Sequence, residues 1–371
     1  MQFVISRRLA ELPVSREQWN ALVAESPGAT IFQTYEWFEC WWTAFGRDRQ
    51  LFLLTAWDGD AVAGIAPLMI ERRAGLRHLE FVGSLNADYQ DFILGRRGDQ
   101  LLAEFARYLF RQRDAWDMMV LRNVPMDSAT VRLFPDEMRV LGLGSTDQER
   151  VACPTLHIAG RTAEIRRLVD GYGFRRRVRR LQQHGELKFV RCSSPEQVNH
   201  YLPLFFDQYV ERRRGSRAAE AFMRPNVRAF YLALAEAMLP RGWLHFSVLE
   251  CADRPAAFHF GFEFGGRLYW YKPSFDPKLA QQSPGTVLLS YLIRDAVQSG
   301  LDELDFTVGA EPFKYRYAST QRVNANIRVF SRRWLYVAAK AVAWARRAAS
   351  RLRHQFRATD HSAVSGTRTM G

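Results

Sequence analysis

Cysteine is scarce in this chain of 371 residues. There are four, Cys40, Cys153, Cys192 and Cys251, and none forms a Cys-x-x-Cys pair. The spacing argues against a disulfide framework or a thiolate zinc site and predicts buried, reduced thiols in a cytosolic protein. No apolar run reaches the roughly 18–20 residues a membrane-spanning helix needs. Met1–Arg8 carries no long apolar stretch behind its charges, so no signal peptide is expected. There is no nucleotide-hydrolysing P-loop, no zinc ligand set and no Gly-x-Ser-x-Gly elbow, and no metal is expected. Acidic residues are missing from Ser331 to Thr359, a stretch with eight Lys or Arg. Of the net charge of +13, only about +5 therefore belongs to the first 330 residues. So balanced a body is not expected to bind nucleic acid. The remaining basic clusters, Arg175–Arg180 and Arg212–Arg214, read either as solvated helix faces or as contacts to an anion.

Apolar residues make up 47 % of the chain and aromatics 13 %, enough to bury substantial cores. Helical spacing marks Trp19–Ala24 and the Trp- and Phe-rich Thr34–Phe45, with Thr34 as a candidate N-cap. Strands are expected at Gln50–Trp57 and Ala61–Ile70, joined by Asp58-Gly59-Asp60, then at Leu79–Val82 and Asp91–Leu94. Helix Gln100–Arg113 and strand Trp116–Leu121 follow. The second half repeats this order: helices Pro195–Arg213 and Pro225–Leu239, strands Trp243–Glu250, Ala256–Phe264 and Leu268–Tyr271, helix Val287–Ser299 and strand Leu304–Thr307. Two copies of one α/β unit are thus expected, over 1–164 and 186–330, linked by an Arg-rich helical connector over 165–185 that breaks near Gly171 and Gly173. In the tail, 331–371, an apolar stripe of Trp334, Ala338, Ala341, Ala345, Ala348 and Leu352 lies between basic flanks. One flank is Arg333, Lys340, Arg347 and Arg351, the other Arg346, Arg353 and Arg357. Two readings stand for this helix: a peripheral contact with an anionic membrane or membrane-bound synthase, or packing on the second unit. Residues after Asp360 read as disordered.

Leu268–Ser319 is the most chemically suggestive block. A strand leads through a Pro/Gly loop onto a helix start, where unpaired N–H groups and the helix dipole favour an anion. Gln281, Gln282, Ser283, Gly285 and Thr286 are the candidate ligands there, although a plain capping role accounts for the same residues. His259, mid-strand, is a candidate general base or a satisfied core histidine. Alternation places Glu263 on the same face as His259. Tyr271 is a candidate acid or core aromatic. Lys314 and Arg316 close the block as cations.

Several segments, in their order, resemble the CelD/BcsL-type acetyltransferases of cellulose and exopolysaccharide biosynthesis, a branch of the GNAT superfamily related to the FemAB aminoacyltransferases. They are Phe32-Gln33-Thr34-Tyr35-Glu36-Trp37, Asp88-Tyr89-Gln90-Asp91, the Arg-rich arm ending at Leu181, Ser283-Pro284-Gly285, and Asp305-Phe306 with Gly309, Glu311 and Lys314-Tyr315-Arg316. The resemblance spans roughly Thr30–Phe330. It implies an α/β fold of tandem GNAT-like (acyl-CoA N-acyltransferase) domains with mixed, mainly antiparallel sheets. It also implies acetyl-CoA or another acyl-CoA as donor, held by the 281–286 loop, and a small-molecule or glycan acceptor. Asp88, Tyr89, Asp91 and Arg316 would bind that acceptor, and Lys314 a phosphate or the transition state. The loop departs from the usual glycine-rich pattern, which leaves an aminoacyl-tRNA-dependent, FemAB-like transferase as one alternative; a non-catalytic scaffold of a polysaccharide synthase is the other. A cytoplasmic place is expected, with a peripheral position at the inner membrane as the other reading.

Overall fold

The computed structural model describes residues 1–146 and 149–345. The first half runs β1 (Gln2–Ser6), α1 (Arg16–Glu25), α2 (Tyr35–Phe45), β2 (Gln50–Asp58), β3 (Ala61–Arg73), β4 (Leu76–Phe81), α3 (Gly98–Arg111), β5 (Met118–Pro125), α4 (Ala129–Val140), β6 (Gly144–Thr146) and β7 (Arg150–His157). Helices α5 (Thr162–Val169) and α6 (Tyr172–Gln182) form the connector. The second half runs β8 (Leu187–Arg191), α7 (Pro195–Arg212), α8 (Arg217–Phe222), α9 (Pro225–Met238), β9 (Leu244–Cys251), β10 (Arg254–Phe264), β11 (Arg267–Phe275), α10 (Pro284–Gln298), β12 (Glu303–Asp305) and β13 (Thr320–Phe330). A helix over 333–345 follows.

Local chemistry accounts for many boundaries. Thr34 caps α2 by accepting from the Trp37 N–H at 3.4 Å. The tight β9–β10 turn places Ala252 and Asp253 at φ of 51° and 56°, the left-handed pair that suits the twist of a hairpin. Gly171 separates α5 from α6 where the connector was expected to break.

The halves repeat one plan. In each, an antiparallel hairpin leads to a third strand, then a crossover helix returns to a strand parallel to it. The parallel pairs are β4 with β5, at Leu79↔Met119, and β11 with β12, at Leu268↔Leu304. All strands join one mixed sheet, in the order β1-β2-β3-β4-β5-β13-β7-β12-β11-β10-β9-β8, with β6 beside β13. The closing strands are exchanged: β7, early in the chain, pairs with β12, while β13, late in the chain, pairs with β5. The two meet at Arg322↔Cys153 in the middle of the sheet.

Three hydrophobic clusters result. Helices α3 and α4 cover one face of the first half, and α5, α6 and α10 cover the corresponding face of the second. The third cluster joins the halves: α1, α2, α7 and α9 share one apolar layer between them, with α2 packed on α9. Trp37 sits at that joint, with ring centroids 5.5 Å from Phe230, 5.8 Å from Phe262 and 5.8 Å from Tyr271. All four cysteines are buried and unpaired.

Three expectations change. Asp91–Leu94 is no strand; one bridge, Ile65↔Ile93, is all that pairs it. Strand β12 stops at Asp305, because Thr307 turns the chain through φ of 55°. The tail stripe is described only as far as Ala345. Ala348, Leu352, Arg346, Arg347, Arg351, Arg353, Arg357 and the segment after Asp360 lie outside the described residues. No helix among the described residues is long and apolar enough to cross a membrane.

Candidate functional site

The parallel pair β11/β12 stays in register from Arg267↔Glu303 to Tyr269↔Asp305 and then opens. At the opening sits Thr307, a β-branched residue held at positive φ, a conformation that costs energy and that surrounding contacts must enforce. They do so closely. Its N–H donates to Asp305 Oδ1 at 2.7 Å and its hydroxyl to the Trp270 carbonyl at 3.2 Å. Asp305 in turn accepts from the Tyr89 hydroxyl through both oxygens, at 2.9 and 2.8 Å. Arg322 reaches Asp305 at 3.4 Å and grips Glu303 with two bonds of 2.7 Å. This network ties a loop of the first half to the last residue of β12 in the second.

The loop carrying Tyr89 is fixed from both sides. Asn324 on β13 donates to the Asp88 carbonyl at 2.9 Å, and Asn123 on β5 to the Ala87 carbonyl at 2.9 Å. Successive side chains of the loop therefore serve different places. Tyr89 meets Asp305. Asp91 accepts from Ser128 and Thr130 at the start of α4. Both line a cavity of about 600 Å³ between the 26–33 segment, the loop itself and α4, with Arg132, Arg267 and Asp305 on its wall.

Asp88 faces another group. Burial raises its carboxyl pKa, opposed first by the ammonium of Lys272, then by the Thr307 side chain and the ammonium of Lys314. Lys272, on β11 past its pairing with β12, has its ammonium 3.8 Å from the centre of the Tyr271 ring. Burial lowers its pKa, against the attraction of Asp88. Burial thus pushes this carboxyl up and this ammonium down, while the attraction between their opposite charges opposes both shifts. Arg212 borders the group, donating to the Pro273 carbonyl at 2.9 Å and stacked 4.0 Å over Phe275, its pKa lowered to about 10 by burial.

Not every expected residue joins this cluster. Lys314 does, but its ammonium also clamps its own loop: it binds the Val308 carbonyl at 3.0 Å, the Gly309 carbonyl at 3.3 Å and Glu311 at 2.8 Å. Tyr271 underlies Lys272, with its hydroxyl committed to the Asn86 carbonyl at 2.7 Å and its pKa well above the usual range through burial. It braces the halves and has no proton free to give. His259 lies on the opposite face of the sheet, under α10. It is fully buried, stacked 4.9 Å from Trp270, its Nε2 3.2 Å from the Tyr269 carbonyl. Burial drives its pKa well below the usual imidazole range, so it stays neutral in the core and does not reach the cleft. Glu263 is spent on Arg191, at 2.7 Å, in an ion network with Asp295 and His245 beside α10. Arg316 is exposed on the turn after Lys314, away from the cavity wall.

The helix start offers less than its sequence suggests. Pro284 has no N–H, and those of Thr286 and Val287 bond back to the Ser283 carbonyl at 3.0 and 3.2 Å. Among the described residues this leaves the N–H of Gly285 as the outward-facing donor of the first turn. Ser283 is left-handed at φ of 57° and its hydroxyl makes no cap; Gln282 bonds His184 at 3.0 Å. The neighbour of this loop is α6, which packs against the 277–282 turn and exposes Arg175, Arg176, Arg179 and Arg180. An anion at this corner would meet one backbone N–H and a bank of guanidinium groups.

Lys272, Thr307 and Arg322 were not singled out from sequence. Strict alternation past Tyr271 would send Lys272 to the opposite face, and only the irregular β10–β11 pairing brings it over the Tyr271 ring; nothing local marks Thr307. One consequence is measurable. Burial raises the Asp305 carboxyl to about 6, against roughly 3.9 when unfolded. The folded state therefore holds the extra proton. The resulting stabilisation is complete below about pH 4 and lost as pH rises through 6, amounting to roughly 3 kcal/mol at most. In urea unfolding at pH 4.5 and pH 7, Asp305→Asn should flatten this part of the slope. An unchanged slope would mean that Asp305 does not titrate there.

Comparison with known proteins agrees with this geometry at the level of fold. Residues 171–315 match the family model described as an acetyltransferase (GNAT) domain. No curated protein matches the chain. Among solved structures, the chain is similar to FemX, with a TM-score of 0.61 and 10 % identity over 88 % of this chain and 97 % of that one. It is similar to a conserved protein of unknown function from Bacteroides thetaiotaomicron, with a TM-score of 0.56 and 13 % identity over 88 % and 99 %. It is also similar to L-PGS from Bacillus licheniformis, with a TM-score of 0.50 and 12 % identity over 88 % and 95 %. The protein thus has a mixed α/β fold of tandem GNAT-like halves, with an acetyltransferase (GNAT)-type segment at 171–315.

Proposed function

We propose that the protein is an acyltransferase that moves an acyl group, acetyl in the simplest case, from a CoA thioester to an amine or hydroxyl. The acceptor would be a sugar, sugar nucleotide or glycolipid of envelope or exopolysaccharide synthesis, as the CelD/BcsL resemblance implies. The observation that carries the reading is the opening of β11/β12 onto Asp88, Lys272, Lys314 and Thr307, with a cavity of about 600 Å³ on the other side of Tyr89. Acyl transfer needs a base for the incoming nucleophile, positive charge where the carbonyl oxygen becomes anionic, and a proton for the leaving group.

In this reading Asp88 takes the proton of the attacking amine or hydroxyl, and Lys272 offsets the negative charge growing on the carbonyl oxygen. As the carbon–sulfur bond breaks, Lys272 or Asp88 returns a proton to the thiolate. Lys314 positions the 308–311 loop and adds to the field. Tyr89 and Asp91 line the acceptor cavity. The donor supplies the activated acyl group; its phosphates would lie against Gly285 and the arginines of α6, with Gln281, Gln282, Ser283 and Thr286 around them. These residues suit an anion through side-chain charge more than through backbone donors.

The shortage of free N–H groups at α10 favours a second reading, an aminoacyl-tRNA donor held by the same arginines. Melting with and without 1 mM acetyl-CoA separates the two. A ligand at 100 times its Kd stabilises by about 2.7 kcal/mol, a shift of a few degrees in Tm, and the Arg175→Gln/Arg179→Gln variant should lose most of it. No shift, together with tight, salt-sensitive binding of charged tRNA, would transfer the assignment to the second reading.

A further inference from the structure

The helix over 333–345 leaves the body soon after it starts. Leu335 is buried and Tyr336 packs on Gly144, where an added Cβ would lie 2.3 Å from the tyrosine ring. Among the described residues, nothing covers the rest of the helix surface. Trp334 is 64 % exposed, Val337 58 %, Val342 51 % and Trp344 74 %. Positions 334, 337, 341 and 344 form one stripe at helical spacing. Trp334, Val337 and Trp344, in water along that stripe, are an apolar patch without a partner among the described residues.

Charge identifies the partner. Arg332, Arg333 and Lys340 accompany the stripe. Among the described residues their contacts are light: Arg332 touches exposed Asp114 at 3.3 Å, and Lys340 sits 5.2 Å from the Tyr336 ring. From Ser331 to Thr359 the sequence has eight Lys or Arg and no acid. A second copy of the chain would bring this cationic segment against its own like, which opposes pairing. An anionic phospholipid surface matches both properties. Tryptophan settles at the boundary between headgroups and hydrocarbon, and Lys and Arg pair with anionic headgroups while their stems reach across apolar surface.

We propose that this helix docks the protein on an anionic membrane, with Trp334, Val337 and Trp344 in the interface and Arg333 and Lys340 among the headgroups. The inference is independent of the acyl donor. It would place the enzyme beside acceptors held at a membrane surface.

Flotation of the full chain with lipid vesicles tests it. Binding to vesicles of three parts phosphatidylcholine to one part phosphatidylglycerol should exceed binding to pure phosphatidylcholine at least ten-fold. It should fall at least ten-fold between 0.1 and 0.5 M salt, as screening shortens the reach of the surface potential. Each cation near such a surface contributes about five-fold, so Arg333→Gln/Lys340→Gln should weaken binding about 25-fold. Trp334→Ala/Trp344→Ala should weaken it about ten-fold or more while leaving Tm unchanged, because both rings are exposed. Equal binding to neutral vesicles, no binding to anionic ones, or an unaffected tryptophan variant would each overturn the proposal. A dimer abolished by the tryptophan substitutions, without lipid binding, would assign the face to a second copy instead. Capture by an acidic protein or a nucleic acid without lipid binding would also reject it.

Discussion

Gly261→Ala should destabilise the protein by about 3 kcal/mol or more, near or beyond the upper end for overpacking a core. The glycine sits in β10 where its pairing with β11 slips between Phe260 and Phe262. A Cβ added there would lie 2.2 Å from His259 Cε1, 2.4 Å from His259 Nε2 and 2.3 Å from the Tyr269 carbonyl oxygen. The ring is wedged against Trp270, and the carbonyl belongs to the strand that leads into the cleft. Neither can retreat without disturbing the β10–β11 ladder. Smaller rings in place of the imidazole would relieve only part of the clash, so Gly261→Ala should stay destabilising in a His259→Ala background. Urea unfolding measures both. A loss below 1 kcal/mol, or full rescue by His259→Ala, would show that the carbonyl contact is not the obstacle. His259 thus earns its place as a packed neutral ring that leaves room for only hydrogen at position 261.

Lys272→Met should lower kcat/KM about 100-fold to 1000-fold, the usual loss when one preorganised charge donor is removed from a developing oxyanion. Methionine keeps most of the side-chain volume over the Tyr271 ring, so Tm should hold. Lys314→Ala should differ in kind. Its ammonium ties the 308–311 loop through two carbonyls and Glu311, so activity and thermal stability should fall together. Arg333→Ala, on the far helix, should leave the rate near that of the unaltered protein. If Lys272→Met keeps its rate within three-fold, the cleft's chemistry does not run through Lys272. A large rate loss without loss of acetyl-CoA stabilisation would separate chemistry from donor binding.

The readable parts of the sequence were those whose information is local. Thr34 as a cap, the acidic and glycine turns of the two hairpins, and the amphipathic helices α3 and α10 each depend on neighbours within a few residues. The repeated order of elements exposed the tandem plan. Strands β7 and β13 were less legible. β7 contains Pro154, and β13 alternates Arg322, Asn324 and Asn326 with apolar residues, so neither reads as a stripe bound for the middle of a sheet. Those polar side chains are there because that face carries the network of Tyr89, Asp305 and Arg322.

By itself the sequence determined most of the element order and the Arg-rich helical segment between the halves, because periodicity and turn chemistry act over short spans. Only the tertiary structure decided three things. Closing strands β7 and β13 cross between halves, because each finds its unpaired edge on the other's parallel strand. His259 turns under α10 while Lys272 turns into the cleft, because face and burial depend on packing across the sheet. Asp88 comes within the electrostatic reach of Lys272 and Lys314 across more than 180 residues of chain, a proximity that no local rule of sequence contains.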